Sequence, residues 1–227
     1  ELGGKSPLVV LDDADLEKAI EAATIGIFFF QGQACMASSR IILQSGIAQS
    51  FIDAFTDVAR NIKVGDLSDP ETAIGPIISE RQANRIRTHI DDALGKGATL
   101  LHGGNEWTGQ CCPPTILTDV KEGMTVFKEE TFGPVTSIYT VDTLEEALTL
   151  ANDTEYGLTN YVQTQDSVKA NRLARSLRSG MVEMNGQSRG SGSPFGGMKK
   201  SGNGREGGVW GIEDFLEVKS ISGWSSE

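Results

Sequence analysis

Residues 6–35 read SPLVVLDDADLEKAIEAATIGIFFFQGQAC, and the interpretation of the whole chain starts from them. The apolar run from Ser6 to Leu11 predicts a buried strand, and the acidic residues 12–15 suit the cap of a following helix. Apolar residues then recur at helical spacing, at Leu16, Ala19, Ile20, Ala23 and Ile27. The stretch therefore predicts a strand, a helix and a turn, loosened by Gly32, that presents Cys35.

The alternation of strand and helix continues along the chain. Short apolar runs predict strands at 39–43, 99–101, 114–120, 135–141, 160–164 and 181–184. Helical stripes fall at 48–62, 83–94, 144–151 and 168–177. This order favours an α/β fold with a mostly parallel sheet and helices on both faces. A chain of 227 residues is long enough for one such core.

Composition excludes several classes of function. The net charge of −11 and the pI near 4.7 argue against nucleic-acid partners and anionic membrane surfaces, because both need a basic face. No apolar run approaches the roughly 18 residues of a membrane span, so we expect no membrane insertion. Only 2 histidines are present, without spaced ligand partners, so we expect no metal site. Three cysteines without a disulfide framework favour a reducing, cytoplasmic location.

Two motifs allow more than one interpretation. Cys35 is a candidate nucleophile, but a free cysteine also serves often as a small buried hydrophobe. If it acts in a Cys–His pair, the base would be His89 or His102, although we expect His89 to lie on the solvated face of its helix. Residues 202–207 fit the spacing G-x-G-x-x-G, yet no strand precedes them, so they do not predict pyrophosphate binding. Cys111 and Cys112 lie in an extended, proline-containing stretch and are interpreted as structural.

Three further segments accompany the cysteine turn. They are ELGGK at residues 1–5, KEETFGPV at 128–135 and SPFGGMKKSG at 193–202. Together with GQAC at 32–35, they resemble the motifs of the aldehyde dehydrogenase superfamily, in the same order and at similar spacing. The resemblance runs from Glu1 to about Lys219 and covers only the second, catalytic half of such an enzyme.

The resemblance implies roles for individual residues. Cys35 would be the nucleophile that adds to an aldehyde carbonyl, and Glu1 the base that activates water to release a carboxylic acid from the thioester. Glu130 would accept from the hydroxyls of the nicotinamide ribose, and Phe132 would pack near the nicotinamide. The carbonyl of Leu2 would accept from the carboxamide. The cofactor would be NAD or NADP, and the substrate a small-molecule aldehyde.

Substrate contacts and domain limits are predicted more coarsely. We expect Phe28, Gln187 and Phe195 to line the substrate pocket. We expect residues 1–212 to form the catalytic domain and residues 213–227 a C-terminal arm. A strand at 215–221 would extend a neighbouring subunit's sheet in a homo-oligomer, either a dimer or a tetramer.

Three functions remain open from the sequence. The chain could be the catalytic half of an aldehyde dehydrogenase, which would fold alone but not turn over aldehydes without the cofactor-binding half. It could instead be a non-catalytic assembly domain of the same fold. The third alternative is a cysteine hydrolase that needs no cofactor.

Overall fold

A computed structural model describes residues 1–187 and 189–223. The strands are β1 (Pro7–Val10), β2 (Arg40–Gln44), β3 (Thr99–His102), β4 (Thr115–Thr118), β5 (Val135–Val141), β6 (Thr159–Gln163) and β7 (Met181–Met184). The helices are α1 (Leu16–Phe28), α2 (Ser45–Asn61), α3 (Glu80–Gly95), α4 (Thr125–Lys128), α5 (Leu144–Asn152), α6 (Ser167–Ser176) and α7 (Gly208–Glu213). Two 3-10 turns lie at Phe29–Gly32 and Lys199–Ser201.

All 7 strands form one sheet in the order β3-β4-β5-β2-β1-β6-β7. Every neighbouring pair is parallel except β3 and β4, which pair antiparallel at one edge. The connection from β3 to β4 contains no helix, and an antiparallel return needs none. The predicted mostly parallel α/β fold is confirmed.

Strand β1 shows why helices cover both faces of the sheet. Successive side chains of a strand point to opposite faces. Leu8 and Val10 pack in the core formed with α1 and α2, whereas Val9 packs against α5 and α6 on the other face. All three side chains are at most 1% exposed. A third cluster joins α3 and α4 to β4 and β5.

Three of the motif segments lie at the same end of the sheet, where its parallel strands begin. Residues 1–5 precede β1, the cysteine turn precedes β2, and residues 128–134 precede β5. Strands β5, β2 and β1 are neighbours in the sheet. Because parallel strands share their direction, the three segments meet at the amino ends of adjacent strands.

The C-terminal part differs from the prediction. Helix α7 forms inside the glycine-rich region, where no helix was predicted, and ends at Glu213, next to the predicted boundary at 212. Residues 216–222 form no strand in the chain's own sheet, so the predicted strand at 215–221 is absent from the single chain. Its pairing with another subunit stays a prediction. Residues 224–227 of the predicted arm lie outside the described residues. None of the described helices is long and apolar enough to cross a membrane.

Candidate active site

The first residues of the chain connect the other motifs. The N–H of Gly4 donates to Glu130 Oε1 at 3.0 Å, and the N–H of Leu2 donates to the Ser201 carbonyl at 3.0 Å. A Cβ on Gly4 would collide with the carbonyl oxygen of Cys35. Glycine is therefore needed here, because the cysteine loop lies directly against this segment.

The cysteine turn begins where α1 ends. Phe30, Gln31 and Gly32 all adopt left-handed backbone conformations, with φ of 51°, 59° and 65°, which reverses the chain after the helix. A Cβ on Gly32 would collide with the Gly133 carbonyl, so this loop packs tightly on the segment that follows Glu130. The Ala37 N–H donates to the Ala34 carbonyl at 3.0 Å and closes a turn around Cys35.

The thiol of Cys35 is partly buried and faces carboxylates. Burial raises the pKa of Cys35, the negative charge of Glu1 raises it further, its own N–H opposes this, and Glu130 adds a smaller increase. The structure thus brings Cys35, Glu1 and Glu130 near one another. Within the described residues, the backbone N–H of Cys35 donates to no other group.

The surroundings of Glu130 shift the pKa of its carboxyl group. Burial raises the pKa of this carboxyl, the hydrogen bond from Gly4 opposes the rise, and Glu1 adds to it. Lys5 and Arg85 act in the lowering direction. Lys5 is only 2% exposed, and burial lowers its pKa to about 7, assisted by the Arg40 charge. No role was predicted for Lys5 from the sequence, although this residue closes the ELGGK motif.

Helix α3 holds the loop that carries Glu130 and Phe132. Gln82 Nε2 donates to the carbonyls of Thr131 and Phe132 at 2.9 and 3.0 Å. Arg85 Nη2 donates to the Glu130 carbonyl at 2.9 Å. Phe132 has a φ of 56°, a conformation that a non-glycine residue rarely adopts. These donors fix the backbone of the loop in this unusual path.

His89 continues the same stripe of α3, and its predicted exposure was wrong. It is 4% exposed, because the loop at 129–132 covers this face of the helix. Its Nδ1 lies 3.2 Å from Thr131 Oγ1, and its Nε2 lies 3.7 Å from Glu129 Oε2. Burial lowers the pKa of His89 to about 4, with a contribution from Arg85. His89 therefore supports the loop and does not pair with Cys35.

The other two cysteines are placed differently. Cys112 is completely buried in a hydrophobic cluster, and burial raises its pKa to about 12. Cys111 Sγ lies 3.7 Å from the Gly65 carbonyl, outside the site. In residues 1–187 and 189–223, His, Cys, Asp and Glu side chains form no group of 3 or more that could hold a metal ion.

Comparison with known proteins identifies the family of the chain. A sequence model of the aldehyde dehydrogenase family matches residues 1–221. The chain belongs to the aldehyde dehydrogenase family. It is 43% identical to the peroxisomal aminoaldehyde dehydrogenase 1 of Pisum sativum, across 100% of this chain and 46% of that protein.

Solved aldehyde dehydrogenases share the fold. The enzyme from Bartonella henselae superposes with a TM-score of 0.93 at 44% identity, covering 99% of this chain and 48% of that one. An NAD+ complex of the Bacillus cereus enzyme superposes with a TM-score of 0.92 at 38% identity, covering 96% and 45%. The chain spans about half the length of the aldehyde dehydrogenases that it matches.

A cleft of 430 Å³ adjoins Glu130 in this aldehyde dehydrogenase chain. It is lined by Arg81, Gln82, Arg85, Glu130 and Phe132. Guanidinium groups suit phosphate, a carboxylate suits ribose hydroxyls, and an aromatic ring suits a nicotinamide. Leu2 is 73% exposed, and its carbonyl accepts no hydrogen bond from the described backbone. The residues present therefore fit the nicotinamide end of a dinucleotide.

A second pocket, of 460 Å³, adjoins the cysteine turn. Its lining residues come from α1, the cysteine loop, β6 and β7: Lys18, Glu21, Ala22, Ile25, Gly26, Phe29, Ala34, Met36, Ala37, Tyr161, Glu183, Asn185 and Gly186. Ala34 and Met36 flank Cys35 in the sequence, so the pocket lies beside the cysteine loop, although Cys35 is not one of its lining residues. It is the best candidate for the aldehyde pocket.

The three predicted lining residues lie elsewhere. Phe28 is 3% exposed and stacks on Phe55 with ring centroids 5.6 Å apart, because it is still on the core-facing side of α1. The next residue, Phe29, lies past the helix end, is 59% exposed and lines the pocket instead. Gln187 is exposed, and Phe195 lies under the guanidinium of Arg189 at 4.8 Å. Neither contributes to the pocket wall within the described residues.

Proposed function

We propose that this chain is the catalytic half of an NAD(P)-dependent aldehyde dehydrogenase, which oxidises an aldehyde to a carboxylic acid through a thioester on Cys35. The observation that carries the proposal is the meeting of Cys35, Glu1 and Glu130 at the amino ends of β2, β1 and β5. The 430 Å³ cleft beside Glu130 and the 460 Å³ pocket beside Cys35 supply separate places for cofactor and aldehyde.

The first step is the addition of Cys35 to the aldehyde carbonyl. A carbon–sulfur bond forms, the thiol loses its proton, and the carbonyl oxygen becomes the oxyanion of a thiohemiacetal. The Cys35 N–H, which donates to no other described group, is available to stabilise that oxyanion. The thiol proton passes to solvent, so that Glu1 stays available as the base for the later hydrolysis.

Bound NAD or NADP supplies the hydride acceptor that converts the thiohemiacetal to a thioester. The Glu130 carboxylate would bind the ribose hydroxyls, Phe132 would pack near the nicotinamide, and the Leu2 carbonyl would accept from the carboxamide. The contacts from Gln82 and Arg85 to this loop support its orientation. Glu1 then takes a proton from water as that water attacks the thioester, which releases the acid and restores Cys35.

The competing hydrolase mechanism has less support. A hydrolytic cysteine needs an adjacent base, usually histidine. His89 is occupied by Thr131 and Glu129, and the charged groups that influence the Cys35 thiol are the carboxylates of Glu1 and Glu130. A carboxylate base for water, combined with a cleft suited to a dinucleotide, favours the dehydrogenase.

The test is Glu1→Gln in the full-length protein. Removing the base should leave acylation largely intact and slow thioester hydrolysis, so that a burst of reduced cofactor precedes slow turnover in a stopped-flow assay. The exposed Glu17→Gln variant, which lies outside the site, is the control and should behave as the wild type. Unchanged steady-state turnover in Glu1→Gln would show that Glu1 is not the base.

A further inference from the structure

The aldehyde pocket contains one carboxylate that the mechanism does not use. Its walls near Cys35 are apolar or aromatic, with Ile25, Phe29, Met36 and Tyr161 among them. Glu183, on β7, lines the same pocket with a side chain only 17% exposed. A mostly apolar pocket with one placed polar group is the usual form of a small-molecule site, in which the polar group fixes orientation and specificity.

Glu183 is connected to the cysteine loop through Tyr161. The two residues are register partners on the parallel strands β6 and β7, so their side chains point to the same face from strands about 4.8 Å apart. Tyr161 Oη donates to the Met36 carbonyl at 3.0 Å, next to Cys35. Burial raises the pKa of Tyr161, and the charges of Glu183 and Cys35 raise it further. One tyrosine therefore separates the carboxylate from the thiol loop.

The carboxylate of Glu183 has no hydrogen-bond donor among the described residues. Its nearest charged partner is Arg189, whose Nε lies 3.6 Å from Oε1, beyond hydrogen-bond distance. Arg189 does not line the pocket, and its guanidinium stacks over Phe195. The ion pair with Arg189 is loose, so a ligand cation that approaches Glu183 more closely would improve the pairing of this partly buried carboxylate.

The other charges of the pocket lie toward solvent. Lys18 is exposed and pairs with Asp15 at 3.4 Å. Glu21 is exposed on the same helix. Glu183 is therefore the carboxylate of the inner part of the pocket, and Arg189 balances part of its charge from outside the lining. Phe29 and Tyr161 provide aromatic rings, which attract cations by their faces.

We propose that Glu183 selects aldehydes that carry a positively charged amine at the end opposite the carbonyl. The carbonyl would lie at Cys35, the alkyl chain along Phe29 and Tyr161, and the ammonium at the Glu183 carboxylate. This inference rests on the proposed dehydrogenase function and adds the substrate class.

The experiment compares matched aldehydes in the full-length protein with its cofactor. 3-Aminopropanal is paired with butanal, in which a methyl group replaces the ammonium. The second pair is 4-(trimethylammonio)butanal and its neutral isostere 5,5-dimethylhexanal. The readout is the ratio of kcat/KM for the cationic and neutral members, in wild type, Glu183→Gln, Glu183→Asp and the control Glu17→Gln. Thermal unfolding checks that each variant is folded.

We expect the wild type to prefer the cationic member of at least one pair. In Glu183→Gln the ratio should fall roughly tenfold or more for the preferred pair, because the attraction between the carboxylate and the ligand cation is lost. Glu183→Asp should retain part of the preference, and Glu17→Gln all of it.

Four outcomes would overturn the inference, and they are distinguishable. A wild type that prefers the neutral members, or an unchanged ratio in folded Glu183→Gln, refutes the role of Glu183 while leaving the dehydrogenase intact. Faster oxidation of succinic semialdehyde than of either cation would show that the pocket selects anionic aldehydes and would refute the role of Glu183. No oxidation of any aldehyde by the wild type would remove the proposed function itself, and this inference with it. If Glu183→Gln does not fold, the wild-type ratio and Glu183→Asp decide the question.

Discussion

At the scale of single residues, the reactivity of Cys35 depends on the carboxylates that face it. Burial and the charge of Glu1 raise the pKa of this thiol, so its protonated form is favoured in the free site. The thiolate is the nucleophile, and it must therefore form as the aldehyde is attacked. A thiol kept protonated until a substrate is bound is protected from unspecific oxidation.

This description predicts the effect of Glu1→Gln on thiol labelling. Removing the negative charge should lower the pKa of Cys35, so that more thiolate is present at a given pH below that pKa. The rate of iodoacetamide labelling, followed by peptide mapping across pH, should rise several-fold near neutrality, and its midpoint should move to lower pH. Cys111, in the same samples, serves as the internal control. A midpoint that stays in place or moves upward would contradict the placement of Glu1 beside the thiol.

Replacing Phe28 and Phe29 one at a time should distinguish a core side chain from a pocket side chain. Phe28→Ala removes a ring that is 3% exposed and stacked on Phe55, so it should reduce the free energy of unfolding by about 3–5 kcal/mol. Phe29→Ala removes a ring that is 59% exposed and should change that free energy by less than about 1 kcal/mol. Urea denaturation measures both. Equal losses would mean that the two side chains are not on opposite sides of the helix end.

At the scale of elements, the polar stripe of α3 supports the loop at 129–132. Gln82, Arg85 and His89 occupy this stripe, and all three contact the loop. His89 is the member that titrates within a useful range, since burial lowers its pKa from 6.5 to about 4. Its contribution to stability should therefore depend on pH.

The direction of this pH dependence follows from the protons that His89 binds in the folded and unfolded states. The folded state holds His89 neutral down to about pH 4, whereas the unfolded chain binds a proton below about pH 6.5. Stability should be full above pH 6.5 and fall as the pH drops toward 4, by roughly 2–3 kcal/mol from this residue. In urea denaturation across this window, His89→Gln should lose less stability than the wild type. Parallel curves for the two proteins would contradict the buried neutral state.

The alternation of strands and helices, and their approximate bounds, were predictable because apolar periodicity reports directly on which side chains are buried. The roles of Cys35, Glu1 and Glu130 were inferred from the resemblance of short motifs and stay predictions. His89 was not, because its burial depends on a loop 40 residues later that covers a polar helix face. Phe28 was misplaced because the side to which an aromatic residue points depends on where its helix ends. Glu183 gave no signal, since one glutamate in a strand is equally compatible with a solvated edge.

At the scale of the whole molecule, the C-terminal segment has no partner within the chain's own sheet. Phe215, Val218 and Ile221 are 89%, 99% and 73% exposed. Exposed apolar side chains on an unpaired segment favour pairing with another chain. We therefore expect this segment to contribute to homo-oligomer contacts in the full-length protein.

Deleting residues from Phe215 onward should reduce the association state of the full-length protein. Multi-angle light scattering measures that state directly. The matched control replaces only Lys219, a charged residue of the same segment, with Gln, and should leave association unchanged. An unaltered mass after the deletion would show that the segment is not part of the subunit interface.

The central claim is that aldehyde oxidation passes through an acyl group on Cys35. The most direct measurement is peptide mapping by mass spectrometry of the full-length Glu1→Gln variant, quenched in acid during turnover with butanal and NAD or NADP. The account predicts a mass increase corresponding to a butanoyl thioester on the peptide that contains Cys35, and no such increase on the peptide with Cys111 and Cys112. Formation of reduced cofactor and butanoic acid with Cys35 unmodified, or continued turnover by Cys35→Ala, would contradict it.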